Sequence, residues 1–111
     1  MWRSNLETET TLIYLTQLIY IKPGKEKVFH EFESQAIPLM NKYNGCILHR
    51  IRPTADSMID GVGEAPYEIH FISFDTEADL AAFLKDETRK QFMHLKDESV
   101  RSILLVKGQK M

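Results

Sequence analysis

One cysteine is all that this 111-residue chain contains. An internal disulfide is therefore excluded, and the usage fits a reducing compartment, so a cytoplasmic location is expected. Glycine and proline are scarce as well, at 5 and 4 residues. That leaves no flexible linker or proline-rich tract, and with 43% apolar residues long disorder is not expected. Neither sign of charge dominates: 14 Lys and Arg against 16 Asp and Glu give a net −2. A protein that neutralises phosphates would carry clustered excess cations, so neither nucleic acid nor a membrane surface is an expected partner. No apolar run approaches the roughly 20 residues needed to cross a bilayer. The opening MWRSNLETET has no hydrophobic core of the signal-peptide kind, and it holds the only tryptophan, Trp2. The four histidines show no H-E-x-x-H or related ligand spacing, and phosphate loop, dinucleotide fingerprint and nucleophile elbow are all missing. Neither a metal nor a cofactor is expected.

What is present is a sequence of changing periods. Residues 1–10 read as a polar arm and 11–108 as a single domain. TLIYLTQLIYI (11–21), rich in β-branched and aromatic residues, reads as a central strand stopped by Pro23-Gly24. Over 24–43 the pattern turns helical, with Val28, Phe29, Phe32, Ala36, Leu39, Met40 and Tyr43 on one stripe. His30 and Glu33 are assigned to its solvent side, and Gly45 to the left-handed position that ends it. GCILHRIRP and PYEIHFISF (66–74) follow as strands joined by the polar loop TADSMIDGVGEA (54–65). Thr76-x-x-Asp79 opens a second helix, with Leu80, Phe83 and Leu84 inward and a break near Lys85–Asp86. RSILLVKG (101–108) closes the chain as a strand. Cys46, at a strand start, is expected to be a buried structural thiol.

The order β-α-β-β-α-β predicts an α+β, ferredoxin-like fold: a four-stranded antiparallel sheet with the helices on one face. Strict alternation divides the strands into two sets. Ile13, Leu15, Gln17, Ile19, Ile47, His49, Ile51, Ile69, Phe71, Leu104 and Val106 are assigned to the helix side. Tyr14, Thr16, Leu18, Tyr20, Leu48, Arg50, Arg52, Glu68, His70, Ile72, Phe74, Ile103 and Leu105 are assigned to the open side. An open face so apolar calls for a cover, and a two-fold homodimer supplies one. If the hairpin sets Pro53 near Tyr67, Arg52 meets Glu68 and Arg50 meets His70. That group is either a polar pair at the rim of a dimer interface or, with Tyr14 or Tyr20, a site for a small anionic or enolic compound.

The β-α-β-β-α-β layout, the KPGK lead-in to the first helix, NGCILHRIRP after it and the block FISFDTEADLAAFLKDETRKQF resemble the dimeric α/β-barrel superfamily, which includes antibiotic-biosynthesis-monooxygenase-like proteins. The resemblance spans about residues 11–108. It implies two sheets facing each other across a two-fold axis, and pockets between sheet and helices that would favour Gln17, His49 and Tyr67. It also implies cofactor-free oxygenation of aromatic polyketides or quinols, or haem degradation; Trp2, outside the domain, does not suit the latter.

Two functions remain. One is a small cofactor-independent, monooxygenase- or isomerase-like enzyme for an aromatic or enolic molecule. His70 or His49 would transfer protons, Arg50 would stabilise an anion, and Tyr14, Gln17, Arg52 and Glu68 would contribute to binding. The other is a non-catalytic dimeric structural or binding domain in which the same residues affect only stability or association.

Overall fold

The computed structural model describes residues 12–111; the arm at 1–10, Trp2 included, lies outside the described residues. Strands β1 (Ile13–Ile21), β2 (Gly45–Ile51), β3 (Glu68–Phe74) and β4 (Val100–Gln109) form one sheet in the order β2-β3-β1-β4. Every neighbouring pair is antiparallel. Helix α1 (Glu26–Asn41) connects β1 to β2, and α2 (Glu77–Lys85) and α3 (Glu87–Ser99) connect β3 to β4. The fold is the α+β, ferredoxin-like one expected.

Local chemistry explains the boundaries. The Thr76 side chain accepts a hydrogen bond from the Asp79 amide at 3.0 Å and starts α2. Asp86, at an extended ψ of 132°, ends α2 and accepts from the Arg89 amide at 2.9 Å to start α3. That residue is the break expected near Lys85–Asp86. Pro38 lies on the exposed side of α1, where its missing donor disturbs no packing. The left-handed residue after α1 is Asn44 (φ 58°), not Gly45 as expected. Gly45 serves a different need: a Cβ there would meet Phe74 ring carbons at 2.5 and 2.8 Å.

The core lies between sheet and helices and joins Ile13, Leu15, Met40, Ile72, Phe74 and Phe83. The rings of Phe74 and Phe83 are 5.6 Å apart, and those of Phe32 and Phe92 5.9 Å. The pairings Gln17↔His70 and Gln17↔Leu105 turn β3 and β4 over relative to the alternation assigned from sequence. Glu68, His70, Ile72, Phe74, Ile103 and Leu105 share the helix side with Ile13, Leu15, Gln17 and Ile19, while Ile69, Phe71, Leu104 and Val106 face away. Alternation fixes which residues of one strand share a face; only register fixes how neighbouring strands match.

Strand β2 adds a second departure. Ile47 pairs with Ile72 but His49 with Phe71, so Leu48 is an extra residue, a bulge. Before it Gly45 and Ile47 face the helices; after it Arg50, opposite His70, does so, and His49 and Ile51 face away. Ile51, Phe71, Leu104 and Val106 are exposed on the open side. An uncovered apolar face therefore exists, but of the Leu18, Ile72, Phe74, Ile103 and Leu105 expected there only Leu18 lies on it. Cys46 is exposed rather than buried. No helix among the described residues is long and apolar enough to cross a membrane.

Candidate functional site

Across the helix side of the sheet the register builds rows. Leu105, Gln17, His70 and Arg50 form one row, and Ile103, Ile19 and Glu68 form the next. Arg52, one alternation beyond Arg50, reaches Glu68. From above, α1 lowers Glu33 onto the same spot. Three ionisable groups are thereby taken out of water: Glu68 is 1% exposed, Glu33 3% and His70 5%.

Burial of this kind requires compensation, and the geometry supplies it. Arg50 donates from Nε to Glu68 Oε1 at 3.1 Å and from Nη2 to Glu33 Oε1 at 2.5 Å, tying α1 to β3. Arg52 donates from Nε to Glu68 Oε2 at 3.1 Å and adds a contact from Nη2. His70 Nε2 lies 2.7 Å from Glu68 Oε1 and 3.1 Å from Glu33 Oε2. Since a carboxylate only accepts, Nε2 carries the hydrogen and is directed at Glu68. Glu33 Oε2, buried, is left without a hydrogen bond, its 3.1 Å approach to the imidazole being an ionic contact only. His70 Nδ1 makes no hydrogen bond among the described residues. Outside the cluster Arg52 lies over the Tyr67 ring at 4.8 Å, and the Tyr67 hydroxyl meets His30 Nε2 at 2.5 Å.

These surroundings push the three groups apart in acidity. Burial would raise the Glu68 carboxyl, but its contacts with His70, Glu33, Arg52 and Arg50 outweigh it and hold it well below the usual carboxylate range. Glu33 goes the other way: its burial outweighs the help from His70, and its carboxyl is raised. Burial would lower His70, yet the adjoining carboxylates of Glu33 and Glu68 raise it overall. The cluster sets a raised imidazole and a raised carboxyl, Glu33, beside Glu68, whose carboxyl is lowered.

Glu33, Glu68 and His70 also offer ligand atoms within 4.8 Å of one another, close enough for a metal ion. Both Glu68 oxygens are already taken by Arg50 and Arg52. A cation there would face two guanidinium groups, so proton exchange suits the arrangement better than metal binding.

Glu33, His70 and Gln17 are, with Arg89, Lys96 and Lys107, the polar residues that line a cavity of about 560 Å³ between sheet and helices. The remaining wall is mainly apolar and includes Leu15, Phe29, Met40, Ile72 and Phe83. That volume lies within the range of small-molecule sites, roughly 300–1,000 Å³.

Of the residues picked from sequence, His70, Arg50, Arg52 and Glu68 meet in one network, and Gln17 stands beside His70. Tyr14 and His49 do not join them. Tyr14 pairs with Ser73 on the open face, and His49 lies there edge-on to Phe71 at 6.1 Å. The network lies under α1, not on the open face expected. Sequence reasoning missed Glu33, placed on the solvent side of α1. Its signal was its position four residues after Phe29 and seven before Met40, which puts it on the same helical face as both.

No protein-family model matches the chain, and no curated protein does. Solved structures match closely in shape. A protein of unknown function from Rhodopseudomonas palustris superposes with a TM-score of 0.81 at 10% identity, over 99% of this chain and 90% of that one. A provisionally named antibiotic biosynthesis monooxygenase from Bacteroides thetaiotaomicron gives 0.70 at 11%, over 94% and 92%. A dimeric protein of unknown function with a ferredoxin-like fold, from Bacteroides fragilis, gives 0.64 at 15%, over 89% and 96%. At these identities the likeness establishes the fold alone. It is the fold of the superfamily that the sequence resembles.

Proposed function

We propose that this chain is a cofactor-independent, monooxygenase-like enzyme acting on a small aromatic or enolic compound, working as a cytoplasmic homodimer. The observation that carries the reading is His70, fixed between two buried carboxylates at the wall of an apolar cavity. With Nε2–H anchored on Glu68, Nδ1 takes a proton from an acidified C–H or O–H of the substrate. The imidazolium so formed is stabilised by Glu68, as in other carboxylate-supported histidine bases. The substrate is left as an electron-rich enolate that reacts with dioxygen. For an activated methylene the balance is CH2 plus O2 to C=O plus H2O, with one oxygen atom entering the product and the other leaving as water. His70 returns its proton to the departing oxygen, and the second hydrogen of the methylene completes the water. Glu68, Arg50 and Arg52 act as positioning residues.

The provisional monooxygenase name of one structural neighbour supports this reading, as does the dimeric description of another. The test is conversion of anthrone to anthraquinone with matched oxygen uptake. His70→Ala should lower the enzymatic rate by about 10²–10⁴-fold, the usual worth of a positioned general base. Glu68→Gln should shift the pH profile of kcat. A wild-type rate equal to the buffer rate for anthrone and for enolisable diketones would refute the proposal.

A further inference from the structure

The cavity has a second charged wall, which the proton chemistry does not employ. Arg89 and Lys96 both line it from α3, seven residues and so about two turns apart on one side of the helix. Ile103, Leu105 and Lys107 of β4 line it too, the last paired with Glu77. Neither Arg89 nor Lys96 has a carboxylate partner among the described residues. Arg89 Nε is buried without any hydrogen-bond partner, and the guanidinium lies over the Phe83 ring at 5.1 Å.

Several other cations of the chain are paired. Lys25 pairs with Glu98, Lys90 with Glu87, Lys107 with Glu77, and Arg101 with Glu64. Asp86, three residues before Arg89, is already committed to the Tyr43 hydroxyl, to the Arg89 amide and to Lys42. Burial lowers the basicity of both Arg89 and Lys96, and the Arg89 charge adds to the effect at Lys96. Two half-buried cations facing one apolar cavity oppose folding unless an anion joins them.

We infer that the cavity binds an amphiphilic carboxylate, an aliphatic or aromatic acid whose head group lies between Arg89 and Lys96 and whose apolar body fills the space toward Gln17, Glu33 and His70. A guanidinium offers a planar fork to a carboxylate, and the ammonium adds a second point of charge. The volume of about 560 Å³ accommodates an acid of roughly ten carbons. The inference rests on the cavity also being the reaction site only insofar as it names the substrate class: substrates would carry an acid group remote from the reacting carbon.

The experiment is a calorimetric titration with decanoate, 1-naphthoate and the neutral 1-decanol, paired with methyl NMR of the wild-type protein. Decanoate or 1-naphthoate should bind at least tenfold more tightly than 1-decanol, as expected for hydrogen bonds to charged groups. The Ile103 and Leu105 methyl signals should shift. Arg89→Met and Lys96→Met should each weaken the acid by about tenfold or more and leave 1-decanol unchanged. Arg89→Met should also unfold at a higher temperature than wild type without ligand, which a merely structural arginine would not allow. Equal binding of acid and alcohol, or shifts confined to Leu104 and Val106 on the open face, would overturn the inference; so would absence of binding by both acids. Binding is read without turnover, so an acid that binds while anthrone is not oxidised would sink the oxygenase reading and leave this one standing.

Discussion

Glu68 and His70, two residues apart on one strand, are joined side chain to side chain at 2.7 Å, and both are buried. Alternation makes this possible: residues i and i+2 share a face, and here that face lies under α1. The pair cannot be solvated, so its ionisation is tied to folding.

Stability should therefore peak on the acid side of neutrality. Glu68 is depressed below its ordinary 4.5, so its contribution is present above that pH and lost as pH falls through the depressed value. His70 is raised above 6.5, so its contribution is complete below 6.5 and lost as pH rises through the raised value. Glu33, raised by burial, also withdraws stability as pH climbs from 4.5 through its folded value. Urea midpoints measured against pH should be highest within about pH 4.5–6.5 and fall on both sides. His70→Ala should flatten the alkaline limb; an unchanged limb would show that His70 does not titrate with folding.

The open face of the sheet makes a separate prediction. Phe71 lies near its middle, on β3, with Ile51, Leu104 and Val106 also exposed. A charge there should oppose self-association while leaving the network under α1 intact. Native mass spectrometry should give a dimer for wild type and a monomer for Phe71→Glu, with unchanged circular dichroism. A monomeric wild type would remove the case for the homodimer.

Gly45→Ala probes the corner where α1 passes into β2. The added methyl would press on the Phe74 ring and on the Met40 carbonyl oxygen, 3.0 Å away. A cost of about 1–3 kcal/mol is expected from overpacking of this kind, read as a lower urea midpoint at constant slope. No change would mean that the Phe74 ring has room to retreat.

The fold was legible in the sequence because it depends on period and punctuation. Thr76, Asp86 and the helical spacing of α1 carry it without reference to distant residues. The hairpin pairing Arg50↔His70 was not read from the sequence but followed from a register set by placing Pro53 near Tyr67, and the structure has that pair. The faces were not legible. In β3 the two alternating sets, Ile69 with Phe71 and Ile72 with Phe74, are equally apolar, so hydrophobicity does not choose between them; the register with β1 does. Glu33 was missed for a related reason. An acid on a buried stripe looks like an error in the stripe until Arg50, from another strand, is known to lie opposite.

Leu48 bears on how such a site changes between related chains. Because alternation has a period of two, the extra residue decides which half of His49-Arg50-Ile51-Arg52 points under the helix. No single substitution in β2 can make that exchange. Loss of one codon can: it would withdraw both guanidinium groups from Glu33 and Glu68 together and offer His49 and Ile51 in their place. The chemistry of the cavity is in this respect inherited through the length of a strand as much as through the identity of its residues.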